Sequence, residues 1–291
     1  MSTTRVLKKF EYYKPETLKE TLLLLDEYGC GAHLLAGGTN IIVDIKLLRI
    51  EPKALVDIGG IKELSGIEFN GKELKIGAGV TISELEKSEI VREKYTALFE
   101  AAQAIGTTQI KNSATVAGNI CNASPAADTA PPLIVFDAQI EIVNSKGIKK
   151  ISINDFFTGY KKTILQTGDI VKSIILPCPP PKTGSAFDRI TRTASDLSQA
   201  NASVLITMCN GICRDLRIAL GAVNVIPVRA IKSENVLRGK KINENLIKEA
   251  ANIVTGEISP IDDVRSSAEY RRDVAIILVK RALLKACKQI K

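Results

Sequence analysis

Leu18, Leu22 and Leu25 repeat at helical spacing behind Pro15, and Gly29 stands where such a helix would stop. The apolar run His33–Ala36 then leads into the paired glycines Gly37 and Gly38. Ile41–Leu48 is apolar enough for a short buried helix, and Ala54–Ile58 reads as a second strand. This opening is a small α/β unit, assigned to residues 1–60.

The pattern changes after residue 60. Ile67–Phe69 and Leu74–Ile76 bracket Asn70-Gly71, a strong hairpin signal. Thr81 and Glu84 have capping-box spacing and should open a helix. A second helix is expected from Glu93 to Ile105, stopping at Gly106. Leu133–Val143 and Lys149–Ile153 bracket Ser145-Lys146-Gly147 as another hairpin, and Ile170–Leu176 is one more strand. Residues 61–176 therefore read as an α+β unit dominated by antiparallel pairing.

Four prolines in Pro177-Cys-Pro-Pro-Pro181 cannot continue a helix or a central strand, so a linker is expected over 177–184. Beyond it, residues 185–291 should hold strands at Phe187–Arg192, Ser203–Cys209 and Asp215–Val223. Helical periodicity is best at Ile242–Thr255 and Glu269–Cys287.

Composition narrows the classes. At 291 residues, 45% hydrophobic and 25% charged, the chain has the make-up of an ordinary globular protein with several domains. No run approaches the roughly 18 apolar residues of a membrane span, and Met1–Lys9 lacks a secretory signal, so the cytoplasm is the expected compartment. The net charge of +8 is spread out, with no basic stripe interleaved with aromatics; nucleic acid is not an expected partner. Six cysteines are scattered, and His33 is the single histidine, so reduced thiols rather than a metal site are expected.

Two stretches carry the chemistry. In Ala36-Gly37-Gly38-Thr39-Asn40 a strand runs through paired glycines toward a helix, a geometry that turns backbone N–H groups toward phosphate; an ordinary turn is the other reading. It is neither a Rossmann fingerprint nor a P-loop. The second stretch, Gln109–Asp128, is expected as a loop, too rich in small residues for a packed element and too apolar for a solvated linker. Thr115 and Asn119 bracket Ala117-Gly118, where ligand oxygens can approach the backbone. Asp128 can accept from a sugar hydroxyl or cap the segment Pro131–Phe136. Two cradles in one chain suggest a large ligand with a phosphate-bearing middle.

In combination these stretches resemble the flavin-binding (medium) subunit of the molybdenum hydroxylases, the xanthine dehydrogenase and carbon monoxide dehydrogenase family. That family's first loop reads Ala-Gly-Gly-Thr-Asp; here it is Ala36–Asn40. Its second reads Gln-Ile-Arg/Lys-Asn, then Thr-Ile-Gly-Gly-Asn, then a Ser/Asp-rich turn. Here Gln109–Asn112, Thr115–Asn119 and Ser124–Asp128 follow in that order. Ala219–Ala222 with Pro227, and Ser267–Arg272, resemble the family's C-terminal domain.

The resemblance implies an α+β fold: a two-part FAD-binding domain of the vanillyl-alcohol-oxidase/carbon monoxide dehydrogenase flavoprotein type, followed by a C-terminal antiparallel sheet with helices. It implies non-covalent FAD, its pyrophosphate cradled by Leu34, Leu35, Ala36, Gly37, Gly38, Thr39 and Asn40, and by Thr115, Val116, Ala117, Gly118 and Asn119. Asp128 would bond the nucleotide side, and Val171 would touch the isoalloxazine ring. Where the family commonly has a lysine near Phe187, this chain has Asp188 and Arg189, so Arg189 would be the cation stabilising reduced flavin. Ala117 replaces a family glycine and should change the fit by one methyl group. His33 is expected to be structural.

The implied function is electron transfer: from [2Fe-2S] clusters on an iron–sulfur partner subunit, through FAD, to NAD+ or another acceptor. Molybdopterin and substrate hydroxylation would sit on a further partner subunit, and this chain would carry no metal, no cluster and no acid–base catalyst. The Cys121–Pro125 turn is most like the xanthine dehydrogenase branch, which implies a purine substrate. A stand-alone flavoprotein oxidase or dehydrogenase of the vanillyl-alcohol-oxidase-like group, and a flavin-free assembly subunit, are the other readings. The first would need a substrate-capping domain, and the C-terminal third is short for one; intact Gly37, Gly38, Gly118 and Asn119 argue against the second.

Overall fold

A computed structural model describes residues 8–290; the stretch read above as lacking a secretory signal falls mostly outside them. The first strand, β1 (Glu11–Tyr13), precedes helix α1 (Leu18–Tyr28). Thr17 caps that helix by accepting from the Glu20 N–H, and Gly29 ends it in a left-handed conformation. Strand β2 (Ala32–Leu35), helix α2 (Ile41–Lys46) and strand β3 (Ala54–Asp57) complete a three-stranded parallel sheet of order β1-β3-β2. Helix α2 forms where expected but is not buried. Only Ile45 is enclosed, while Val43, Leu47 and Leu48 reach solvent.

The second sheet is antiparallel throughout. Strands β4 (Ile67–Phe69) and β5 (Glu73–Gly77) form the hairpin expected around Asn70-Gly71. Helix α3 (Ile82–Lys87) opens on the Thr81/Glu84 capping box, both halves of which are made. The helix expected over Glu93–Ile105 is split into α4 (Glu89–Lys94) and α5 (Thr96–Ala104). Tyr95 breaks it with non-helical backbone, φ −126° and ψ 48°, and its buried ring packs with its centroid 5.0 Å from that of Phe136.

The stretch Gln109–Asp128 is not a loop. It contains α6 (Thr108–Ser113) and α7 (Val116–Cys121), capped by the hydroxyls of Thr107 and Thr115. Leu133–Val143 is likewise not one strand. Its first part belongs to α8 (Ala130–Val135), which begins with prolines at the positions where a helix lacks N–H partners anyway. Strands β6 (Gln139–Asn144) and β7 (Gly147–Ser152), the small hairpin β8 (Phe157–Gly159) and β9 (Lys162–Thr163), and β10 (Ile170–Pro177) follow. The five-stranded order is β4-β5-β10-β6-β7, with a bulge in β10 between Val171 and Ser173.

The four-stranded antiparallel sheet consists of β11 (Thr183–Ile190), β12 (Ala200–Cys209), β13 (Ile212–Gly221) and β14 (Val228–Arg229). Helices α9 (Ile231–Leu237), α10 (Glu244–Ile253) and α11 (Ala268–Lys288) cover one face. Strand alternation divides its side chains between two cores. Ala186, Val204, Ile206 and Ile218 face the helices, whereas Phe187, Leu205 and Ala219 join the core of the first two sheets. Helix α11 lies so close to β11 that a Cβ on Gly184 would sit 2.0 Å from the Ala286 carbonyl oxygen. The fold is α+β, as expected, with a C-terminal antiparallel sheet and helices.

Candidate functional site

Two short segments meet face to face. Gly37 lies so close to the end of α6 that a Cβ there would stand 1.8 Å from the Ser113 carbonyl oxygen. Gly38 adopts φ +73°, left-handed backbone that glycine takes at no cost, and its carbonyl accepts from Ile42 N–H. The second segment is anchored to the five-stranded sheet's side: Ile82 N–H donates to Ala114 O at 2.8 Å, and Val116 N–H donates to Val80 O at 3.2 Å. Thr115 then caps α7 by accepting from Gly118 N–H at 2.9 Å.

Between the segments opens a cavity of about 510 Å³, a size ordinary for a cofactor or small-molecule site. Its wall includes Leu34, Ala36, Gly37, Gly38, Thr39 and Asn40 from the first segment. Thr115, Ala117, Gly118 and Asn119 come from the second, and Val171 lies beside the bulge in β10. The Asn119 side-chain oxygen accepts from the Thr129 hydroxyl at 2.7 Å, which leaves its amide N–H groups as the donors available to a ligand. Leu35 and Val116 support the wall from behind: Leu35 lies against Gly38, and Val116 is fully buried in the core.

Residues that the sequence reading did not place at a ligand also line the cavity. His33, expected to be structural, is one, and its buried Nδ1 has no partner among the described residues. Cys121 is another; burial pushes its thiol up to about 12, so it presents a neutral wall. Asp44 lines the cavity with Arg49 at 3.0 Å, and Asp169 with Lys149 at 3.0 Å. Desolvation pushes the Asp169 carboxyl up, but donation from Asn144, Gln166 N–H and Lys149 outweighs it and holds the group below the usual carboxylate range. Lys161, on the turn between β8 and β9, completes this polar set. His33, Asp44 and Cys121 adjoin the two segments in sequence, whereas tertiary structure brings Lys161 and Asp169 to them.

Asp128 and Arg189 do not line this cavity. They meet each other, with Arg189 Nη1 donating to Asp128 Oδ2 at 2.8 Å. Ser198 and Asn201 donate to the other carboxylate oxygen at 2.5 and 2.6 Å. Burial pushes the Asp128 carboxyl up, against the pull of Arg189 and these donors. The Arg189 guanidinium also donates to the carbonyls of Ala104, Ala194 and Asp196. The cluster therefore ties α5 and the Pro125–Asp128 turn to the four-stranded sheet. Neither does Asp128 cap α8: Thr129 occupies that position.

A family model described as the FAD binding domain in molybdopterin dehydrogenase matches residues 8–179, and one described as the CO dehydrogenase flavoprotein C-terminal domain matches residues 185–286. The chain belongs to the FAD subunits of the molybdenum hydroxylases. It is 31% identical to the glyceraldehyde dehydrogenase medium chain of Sulfolobus acidocaldarius, across 94% of this chain and 97% of that one. Identity is also 31% with the xanthine dehydrogenase FAD-binding subunit of Escherichia coli O157:H7, across 94% and 95%. A solved chain of carbon monoxide dehydrogenase from Hydrogenophaga pseudoflava superposes with a TM-score of 0.95, covering 99% of this chain and 100% of that one at 31% identity.

Every residue of the cavity wall falls inside the FAD-binding match, between His33 and Val171. The residues fit the cofactor: Gly37 with no room for a side chain, Gly38 in left-handed backbone, small residues at Ala114 and Ala117, and an unpartnered buried ring nitrogen on His33. Among the described residues, no helix is long and apolar enough to cross a membrane, and no group of three or more His, Cys, Asp or Glu side chains is gathered to hold a metal ion.

Proposed function

We propose that the chain works as the electron-transfer subunit of a cytoplasmic molybdenum hydroxylase complex, receiving electrons from [2Fe-2S] clusters of one partner subunit. Molybdopterin would be held by another partner, and NAD+ or another acceptor would take the electrons. The observation that carries the reading is the cavity itself: a wall of backbone, small and amide side chains drawn from two sheets, with each of its carboxylates already paired. Such a wall can hold and orient a dinucleotide, and its carboxylates are held in ion pairs rather than free for proton chemistry. FAD, when bound, supplies the redox step, accepting electrons singly and releasing them as a pair.

In this reading Leu34, Ala36–Asn40, Thr115, Ala117–Asn119 and Val171 contact the cofactor, with Leu35 and Val116 behind them. The Asp128–Arg189 cluster fixes the four-stranded sheet against the same wall. The test is purification of the native complex from its source. Flavin absorption, co-purifying iron–sulfur and molybdopterin subunits, and NADH formation with the oxidisable substrate are the expected results. A lone chain whose flavin is reduced directly by an organic substrate would overturn the subunit reading. A complex that reduces an artificial dye but not NAD+ would exclude NAD+ as the acceptor and leave the subunit reading standing.

A further inference from the structure

The cavity has an electrostatic gap. The pyrophosphate of a flavin dinucleotide carries two negative charges, yet neither glycine segment contributes a cation. Asp44 and Asp169, the two carboxylates in the wall, are each committed to a basic side chain outside it. Lys161 is the single Lys or Arg in the wall, and among the described residues it has no carboxylate within salt-bridge distance.

Its backbone is held at a cost. Lys161 has φ +52°, a left-handed conformation unfavourable for a residue with a Cβ. Its N–H donates at 3.2 Å to the carbonyl of Ala123, itself left-handed at φ +47° and placed just past the end of α7. Two strained non-glycine residues thus lock the β8–β9 turn to the helix that Thr115 and Gly118 begin. Strain kept by surrounding structure is a mark of ligand clamps. Here it fixes the unpaired ammonium's stem at the edge of the cradle.

We infer that Lys161 is the counter-ion of the cofactor's diphosphate. The inference rests on the cofactor reading proposed above. The ammonium supplies the charge that the neutral cradle lacks, while the glycine segments supply shape and backbone donors. Because Lys161 is solvent-exposed, its attraction is screened by salt.

The test is equilibrium binding to the full chain stripped of flavin, with FAD, ADP and riboflavin as probes, at low and high salt. Lys161→Met should weaken FAD and ADP by about tenfold at low salt, as expected for one charge-assisted contact, and leave riboflavin binding unchanged. The variant should also show a shallower salt dependence, and Lys161→Arg should restore both. Thermal unfolding of the stripped protein should not move, since the side chain is exposed. Wild-type FAD affinity and salt slope in Lys161→Met would overturn the inference and leave the cofactor site standing. So would an equal loss for riboflavin. Failure of the wild-type chain to bind FAD at all would instead sink the underlying reading.

Discussion

Around Asp128 three side-chain donors converge on one carboxylate, and the Arg189 guanidinium reaches three carbonyls besides. Around the cavity the polar atoms are left open: among the described residues the His33 ring nitrogen, the Asn119 amide nitrogen and the Lys161 ammonium have no hydrogen-bond or ion-pair partner. The two regions lie on either side of α7 and the turn that follows it, and both are polar. What separates them is how far the central group is satisfied: the Asp128 carboxylate is met at both oxygens, although the side-chain oxygen of Asn201 beside it has no partner among the described residues. A buried polar group whose bonds are all made within the chain is scaffolding, and one left with open valence is where a ligand belongs.

The strongest challenge to that contrast is Asp128→Ala. It strands the Arg189 charge in a buried site, and breaking such a pair costs roughly 3–5 kcal/mol. Chemical denaturation should show this loss, while FAD affinity of the molecules that remain folded should hold. Adding Arg189→Met should recover part of the stability. A Asp128→Ala protein of normal stability and weakened FAD binding would move the cluster into the ligand's territory.

Gly37→Ala probes the opposite region and should cost less, about 2–3 kcal/mol by overpacking, because the new methyl group meets the Ser113 carbonyl and neither backbone can swing away. Here stability and FAD retention should fall together, measured by denaturation and by flavin released on gel filtration. Loss of stability with full flavin retention would mean that the contact between the segments does not shape the cavity.

The smallest effect is a pH dependence. The Asp169 carboxyl is depressed in the folded protein, so its contribution is fully present above the unfolded value of about 3.9 and is lost as pH falls through the folded one. Unfolding free energies between about pH 5 and pH 2 should therefore fall less steeply in Asp169→Asn than in the wild type. Parallel curves would remove the Lys149 pairing from the account of the wall's charge.

Much of this was legible in the sequence for simple reasons. The hairpin at Asn70-Gly71, the Thr81/Glu84 capping box and the long periodic helix α11 are local, and local chemistry decides them. The two glycine segments were legible as well, because paired glycines and small residues in both allow the backbone to approach closely. Helices α6 and α7 were not, since Asn, Ser, Thr and Gly seldom make a helix unaided, and the threonine caps and tertiary contacts supply the rest. The partner of Asp128 lies 61 positions away in Arg189, and no spacing rule reaches that far. Lys161 was hidden for the same reason: its role depends on the carbonyl of Ala123.

The placement of the cavity wall wholly between His33 and Val171 has a meaning in time as well as in space. A ribosome finishes every residue of that wall before it begins the first strand of the four-stranded sheet at Thr183. The Pro125 carbonyl, which will accept from Ala222, and the carboxylate of Asp128 wait without their partners during that interval. The order of synthesis thus sets a window in which every residue of the cavity wall has been made and the sheet that will brace it has not.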